Sequence, residues 1–411
     1  MEKQRKTRAI LAGAGIVVAV AAAMAAPKTS AQKKPAPPPP PPIAAVPAPA
    51  PAPAPAPVAA PTPVEPQVAP AERPKVEVVF VLDTTGSMSG LIQGAKQKVW
   101  SIANHIASAQ PTPEVRIGLV AYRDIGDAYV TKRYPLSADL DQVFEHLMAF
   151  RADGGGDTPE HVNKALYEAV NKMQWTDGAM KLVFLVGDAP PHMDYDDGYD
   201  YHKIAHDAAR KEIRIHTIRC GDDPETAVAW RDISKIGRGT YATIEQGGGV
   251  VATRTPMDAE MARLGRKLSD TTVIYGDGES RRRFEGKASV AAGAPASAAA
   301  DRGGFFAKTG AALDEDDIVD KAAAGRVDVG SLDAAKLPEP MRAMAPAERK
   351  TYVVEKKKER EETMNELKAL AAKRDAYIKE EAKKAPAKPG AFDAAVNGAI
   401  TEQAKDYGMK Y

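Results

Sequence analysis

The chain has 411 residues, 56 of them Lys or Arg and 55 Asp or Glu, for a net charge of +1. That balance gives no electrostatic footprint for a nucleic-acid partner, and the basic run at 280–286 is too short to supply one. A single cysteine, Cys220, excludes an internal disulfide framework.

At the amino terminus Lys3, Arg5, Lys6 and Arg8 precede an uncharged stretch, Ala9 to Ala26, built largely of alanine, valine and glycine. This is the pattern of an export signal, so residues 1–31 read as a signal peptide or an uncleaved membrane anchor. The expected address is the periplasm or cell envelope of a bacterium, with membrane contact only through this segment. Residues 32–74 are dominated by proline and alanine, including six prolines at 37–42. Too few large apolar side chains are present to form a core, which predicts a disordered linker of polyproline character, about 3.1 Å per residue.

The next stretch, KVEVVFVLDTTGSMSG at 75–90, carries the most information. Val76 to Leu82 has the length and β-branched content of a buried strand, and a helical pattern follows from Leu91 to Ile106. Between them Asp83, Thr85 and Ser87 alternate, so their oxygens can converge where open α/β sheets bind ligands. One carboxylate and neutral hydroxyls suit Mg²⁺, or Mn²⁺ or Ca²⁺, better than zinc. Two further loops are placed to return to the same sheet edge. GGGDTPE at 154–160 offers Thr158, read as a helix N-cap with Pro159 and Glu160 in the first turn. LVFLVGD at 182–188 reads as a central parallel strand delivering Asp188 at its carboxyl end.

These three motifs, in this order, resemble the von Willebrand factor type A domain with its metal ion-dependent adhesion site. The resemblance spans roughly 75–275, with Thr85 where serine is commoner and GDAPPH after the third motif in place of the more usual DG. It implies a doubly wound, mostly parallel α/β sheet with helices on both faces. It also implies that Thr85, Ser87 and Thr158 contact a metal ion while Asp83 and Asp188 hold its waters, and that a partner's acidic residue completes the coordination. A binding role rather than catalysis follows. A different family, the phosphoaspartate-type phosphatases, also places D-x-T-G after a first strand, with Asp83 as nucleophile. Against it, Thr85 stands where a second aspartate is usual, and GGGDTPE has no task there.

Around the site, Arg123, Asp124 and Asp127 follow the strand Val115 to Tyr122 and read as a charged surface turn or as rim residues. Asp157, His192 and Asp194 are further rim candidates on loops. His202 and His206, four apart on a helix, have zinc-ligand spacing but read more simply as a solvated helix face. Ile215 to Ile218 and Gly239 to Ile244 give further strands, separated by a helix from Pro224 to Ile236. Residues 276–344, rich in alanine, glycine and charge, read as loop-rich or disordered. Residues 345–384 form a long charged helix, with Met364, Leu367, Ala371 and Ile378 as a partial heptad seam interrupted by Lys357, Arg360 and Arg374. That helix either packs a narrow face on the head domain or supports self-association as a coiled coil. An alternative role, docking of a scaffold subunit to an envelope complex, rests on the same helix. Residues 385–411 read as a tail.

Overall fold

The computed structural model describes residues 72–156, 158–246, 254–384 and 392–411. The signal or anchor, the linker up to residue 71 and Asp157 lie outside them.

The chain begins with β1 (Lys75–Asp83), α1 (Ser89–Ile106) and β2 (Glu114–Tyr122), then β3 (Thr131–Ser137), α2 (Leu140–Ala149) and α3 (Val162–Asn171). β4 (Met180–Gly187), α4 (Tyr201–Arg210), β5 (Ile213–Cys220), α5 (Pro224–Ile236) and β6 (Arg238–Ile244) follow. The strands form one sheet in the order β3-β2-β1-β4-β5-β6, parallel except for β3. β1 is central, and its alternate residues serve two cores. Val76, Val78, Phe80 and Leu82 pack with α1, whereas Val79 and Val81 pack with α3 and α4. Burial on both faces explains the near-continuous apolar runs of β1 and β4. The antiparallel edge strand β3 gives no strand signal in the sequence, because TKRYPLS contains Pro135 and two cations, which only an edge tolerates.

After β6 come α6 (Asp258–Ser269), α7 (Gly278–Ala292), α8 (Ala296–Thr309), α9 (Ile318–Ala323), α10 (Glu339–Arg342), α11 (Pro346–Lys384) and α12 (Phe392–Ala404). Residues 276–344 are therefore largely helical, which corrects the loop-rich reading. Small residues make this possible. A Cβ on Gly303 of α8 would stand 2.9 Å from Leu367 Cδ2, so α8 can lie close against α11. Phe305 and Phe306 of the same helix pack on Trp100 of α1.

The α11 helix turns Val353, Arg360, Thr363, Leu367, Ala371 and Arg374 inward. The seam arginines are buried and paired: Arg374 with Asp258 and Asp301 at 2.8 and 2.6 Å, Arg360 with Asp317 and Asp320 at 2.6 and 2.7 Å. Arg302 of α8 holds Asp141 through two bonds of 2.6 Å.

Residues 392–404 are no tail. α12 lies on α1 and under β4, β5 and β6, with Phe392, Val396 and Ile400 at most 1% exposed. Each such side chain contributes about 1.5–3 kcal/mol through burial. The Phe392 ring sits 6.3 Å from that of Phe80 in β1, so this helix completes the sheet's core.

Candidate functional site

The carboxyl ends of β1 and β4 deliver the first and last of the expected residues. Asp83 closes β1 and is fully buried; its Oδ1 accepts from Thr85 N at 2.9 Å and Thr85 Oγ1 at 2.7 Å. Its Oδ2 is buried without a hydrogen-bond partner. Thr85 Oγ1 lies 3.3 Å from Ser87 Oγ. That is near the roughly 3 Å between adjacent ligands of an octahedral ion bound at about 2.1 Å.

Asp188 follows β4 directly. Gln246 Nε2 donates both to its Oδ2 and, at 3.4 Å, to Ser87 O, so the β4 loop meets the first loop through this glutamine. Thr158 is exposed on the middle loop, which docks through its backbone: Gly86 N donates to Gly154 O at 3.1 Å, and Asp153 N to Thr84 O at 3.1 Å. Gly154 and Gly155 adopt φ of +78° and +82°, which only glycine takes without strain. A Cβ at Gly154 would also strike Asp127 Oδ1, 2.2 Å away.

Thr158 is not a helix cap. α3 starts at Val162, and Glu160 is drawn instead into a bridge with Pro191 in the loop after β4. Glu160 N donates to Pro190 O at 3.0 Å, and Glu160 O accepts from His192 N at 3.1 Å. Tertiary pairing overrides the local capping signal. The surface-turn reading of residues 123–127 also fails for Arg123 and Asp124, each 5% exposed. Arg123 gives Nε to Thr84 O and Nη2 to Arg151 O, bracing the first loop.

Of the rim candidates, Asp124, His192 and Asp194 come together. His192 Nδ1 lies 2.8 Å from Asp194 Oδ1 and its Nε2 3.5 Å from Asp124 Oδ2, which also accepts from Tyr195 Oη at 2.7 Å. The His192 and Tyr195 rings stack at 4.0 Å. His202 is engaged by Asp200 and Asp232, at 3.0 and 3.2 Å. Among the described residues no three His, Cys, Asp or Glu form a direct metal-ligating group, so the zinc spacing of His202 and His206 has no third partner.

The electrostatics of the central site are those of clustered, buried carboxyls, with Arg123 as an opposing charge on Asp83. Burial pushes the Asp83 carboxyl up to about 7, against the two Thr85 hydrogen bonds that favour its ionised form, and Asp188 adds to the rise. Burial, then the charges of Asp83, Asp124, Asp127 and Asp188, raise Glu160 to about 9. The Tyr122 hydroxyl is also buried without a partner. A Cβ on Gly187 would meet that hydroxyl at 2.3 Å and Asp83 Oδ2 at 3.3 Å, so both atoms border one spot. Hydroxyl ligands with carboxylates behind them fit a small divalent cation, and the unpartnered oxygens are acceptors for its waters. Glu160, Tyr122 and Gln246 have no motif signal in the sequence; their place follows only from the fold.

Residues 77–254 match the family description of the von Willebrand factor A domain. Over 131 residues the chain is 25% identical to the alpha-protein kinase vwkA of Dictyostelium discoideum, covering 32% of this chain and 20% of that protein. The chain spans a fifth or less of the length of the curated relatives it matches. Similar solved structures include BatB from Bacteroides thetaiotaomicron, at 16% identity and a TM-score of 0.33, covering 41% of this chain and 90% of that one. Proximal thread matrix protein 1 of the mussel byssus, solved with a zinc-occupied MIDAS motif, matches at 12% identity and a TM-score of 0.31, covering 42% and 41%. The β3-β2-β1-β4-β5-β6 sheet and the matched span agree: residues 77–254 of this chain are a von Willebrand factor A domain.

Proposed function

We propose that this domain is a metal-dependent protein-binding module of an exported envelope protein. Thr85, Ser87 and Thr158 offer hydroxyls to a Mg²⁺-type ion, and Asp83 and Asp188 accept from its waters. When bound, the ion supplies a coordination position for a carboxylate of the partner. The observation that carries this reading is the fully buried Asp83 carboxylate, with one oxygen tied to Thr85 and the other unpartnered beside the Thr85 and Ser87 hydroxyl pair. Such an arrangement is costly for a fold to keep unless a cation offsets it. Asp194, exposed and held by the buried His192, supplies the rim that selects the partner. Export and the envelope address rest on the amino-terminal charge and alanine pattern, with the Pro/Ala segment as spacer.

Calorimetric titration of Mg²⁺ and Mn²⁺ into the full chain tests this. About one ion should bind to the wild type and none to the double variant Asp83→Ala, Asp188→Ala. Silence in a folded wild type defeats the reading.

A further inference from the structure

Glu160 has no part in the five-residue set above, yet its surroundings belong to that site. The residue is 3% exposed, and Oε2 is buried without a hydrogen-bond partner. A Cβ placed on Gly155 would stand 3.1 Å from Thr85 Cβ and 3.5 Å from Glu160 Oε1, so the two side chains face each other across that glycine. The charges that act on it most strongly are all carboxylates: Asp83, Asp124, Asp127 and Asp188. Arg123 favours the ionised form of Asp83 through its charge, but it makes no ion pair with Glu160, its Nε and Nη2 going to the carbonyls of Thr84 and Arg151. The main chain holds Glu160 in place from both sides, through Pro190 O and His192 N. A structural role offers no account of this: a glutamine or a leucine would fill the space without placing an unpartnered acid among four others.

We propose that Glu160 is a third carboxylate of the ion site, accepting from ion-bound water on the Gly155 side while Asp83 and Asp188 do so from theirs. This rests on the ion-site reading and extends it. No three carboxylates converge closely enough among the described residues to ligate an ion directly, which suits action through water. Because Glu160 is also paired by its backbone with residues 190 and 192, the ion site and the loop that carries His192 and Asp194 share one residue.

The test is Mn²⁺ titration by calorimetry into the full chain as wild type, Glu160→Gln, Glu160→Asp and Asp188→Ala, with melting of each in EDTA. Glutamine keeps the shape and removes the charge. We expect Glu160→Gln to bind Mn²⁺ at least about tenfold more weakly while melting in EDTA no lower than the wild type, and Glu160→Asp to recover part of the affinity. Wild-type affinity in Glu160→Gln, with binding lost in Asp188→Ala, overturns the proposal and leaves the ion site standing. A lower melting temperature of Glu160→Gln in EDTA marks the carboxyl as a structural partner and also overturns it. Absence of binding in the wild type removes the ion site itself, and Glu160's role with it.

Discussion

Where α11 crosses α6 and α8 the buried Asp258 and Asp301 share Arg374, and between α2 and α8 the buried Asp141 accepts two bonds from Arg302. At the carboxyl end of the sheet Asp83, Asp124 and Glu160 are buried as deeply, and the neighbouring Arg123 turns Nε and Nη2 to backbone carbonyls. Both regions remove carboxylates from water, but only in the first do guanidinium groups bond them directly; at the site Arg123 acts on Asp83 through its charge alone. The difference separates a contact that holds the fold from the cluster on which the proposed ion site rests.

The largest effect should come from breaking the paired region. Arg374→Ala strands Asp258 and Asp301 and should cost about 3–5 kcal/mol in denaturant unfolding. A loss below about 1 kcal/mol would mean that the seam is held by Leu367 and Ala371 alone.

A smaller effect should appear on titrating the unpaired region. In EDTA the folded protein keeps the Glu160 proton up to about 9, whereas the unfolded chain releases it near 4.5. Between about pH 7.5, where Asp83 at about 7 has largely lost its proton, and pH 9 the folded state therefore binds more protons through Glu160, and stability falls as pH rises, by about 2 kcal/mol. His216, which burial pushes down to about 4 from an ordinary value of 6.5, is neutral in both the folded and unfolded states above about pH 7.5 and does not obscure it. Mg²⁺ should flatten the slope, and Glu160→Gln should remove most of it, the remainder coming from Asp83 and the buried Cys220 thiol. An unchanged slope in Glu160→Gln would assign the proton elsewhere.

The smallest change is expected at the join between the loops. Gln246 is exposed, so Gln246→Ala should cost under about 1 kcal/mol in stability and weaken ion binding by less than tenfold. A larger loss of affinity would move Gln246 from a brace of Asp188 to a ligand in its own right.

Much of this was legible in the residues. The strand β1 with its D-x-T-x-S turn, the apolar β4 ending at Asp188, and alternating strands and helices all act locally, through periodicity and turn chemistry. Glu160 was misread because TPE is a sound capping signal, and only the pairing with Pro190 and His192 withdraws it from the helix. α7 and α8 were hidden because alanine and glycine carry little hydrophobic period; their packing depends on how near Gly303 lets another helix come. α12 shows Phe392, Val396 and Ile400 at helical spacing, but nothing local says that a segment so far along the chain closes the core beside β1. The partial seam of α11 pointed to the correct face, and its arginines proved to be part of that face rather than interruptions of it.

The direction of β1 has a mechanical consequence. The described chain enters at Glu72, beside the start of β1, where Arg73 grips the carbonyls of Thr112 and Pro113. The site stands at the strand's other end, and β1 is paired in parallel along its length with β2 on one side and β4 on the other. Tension between the entry point and a ligand held at Asp83 therefore runs along the strand axis, and both ladders resist it in shear together. The bonds are then loaded together rather than opened one at a time. A pull between Glu72 and the site thus meets the sheet in its most resistant direction.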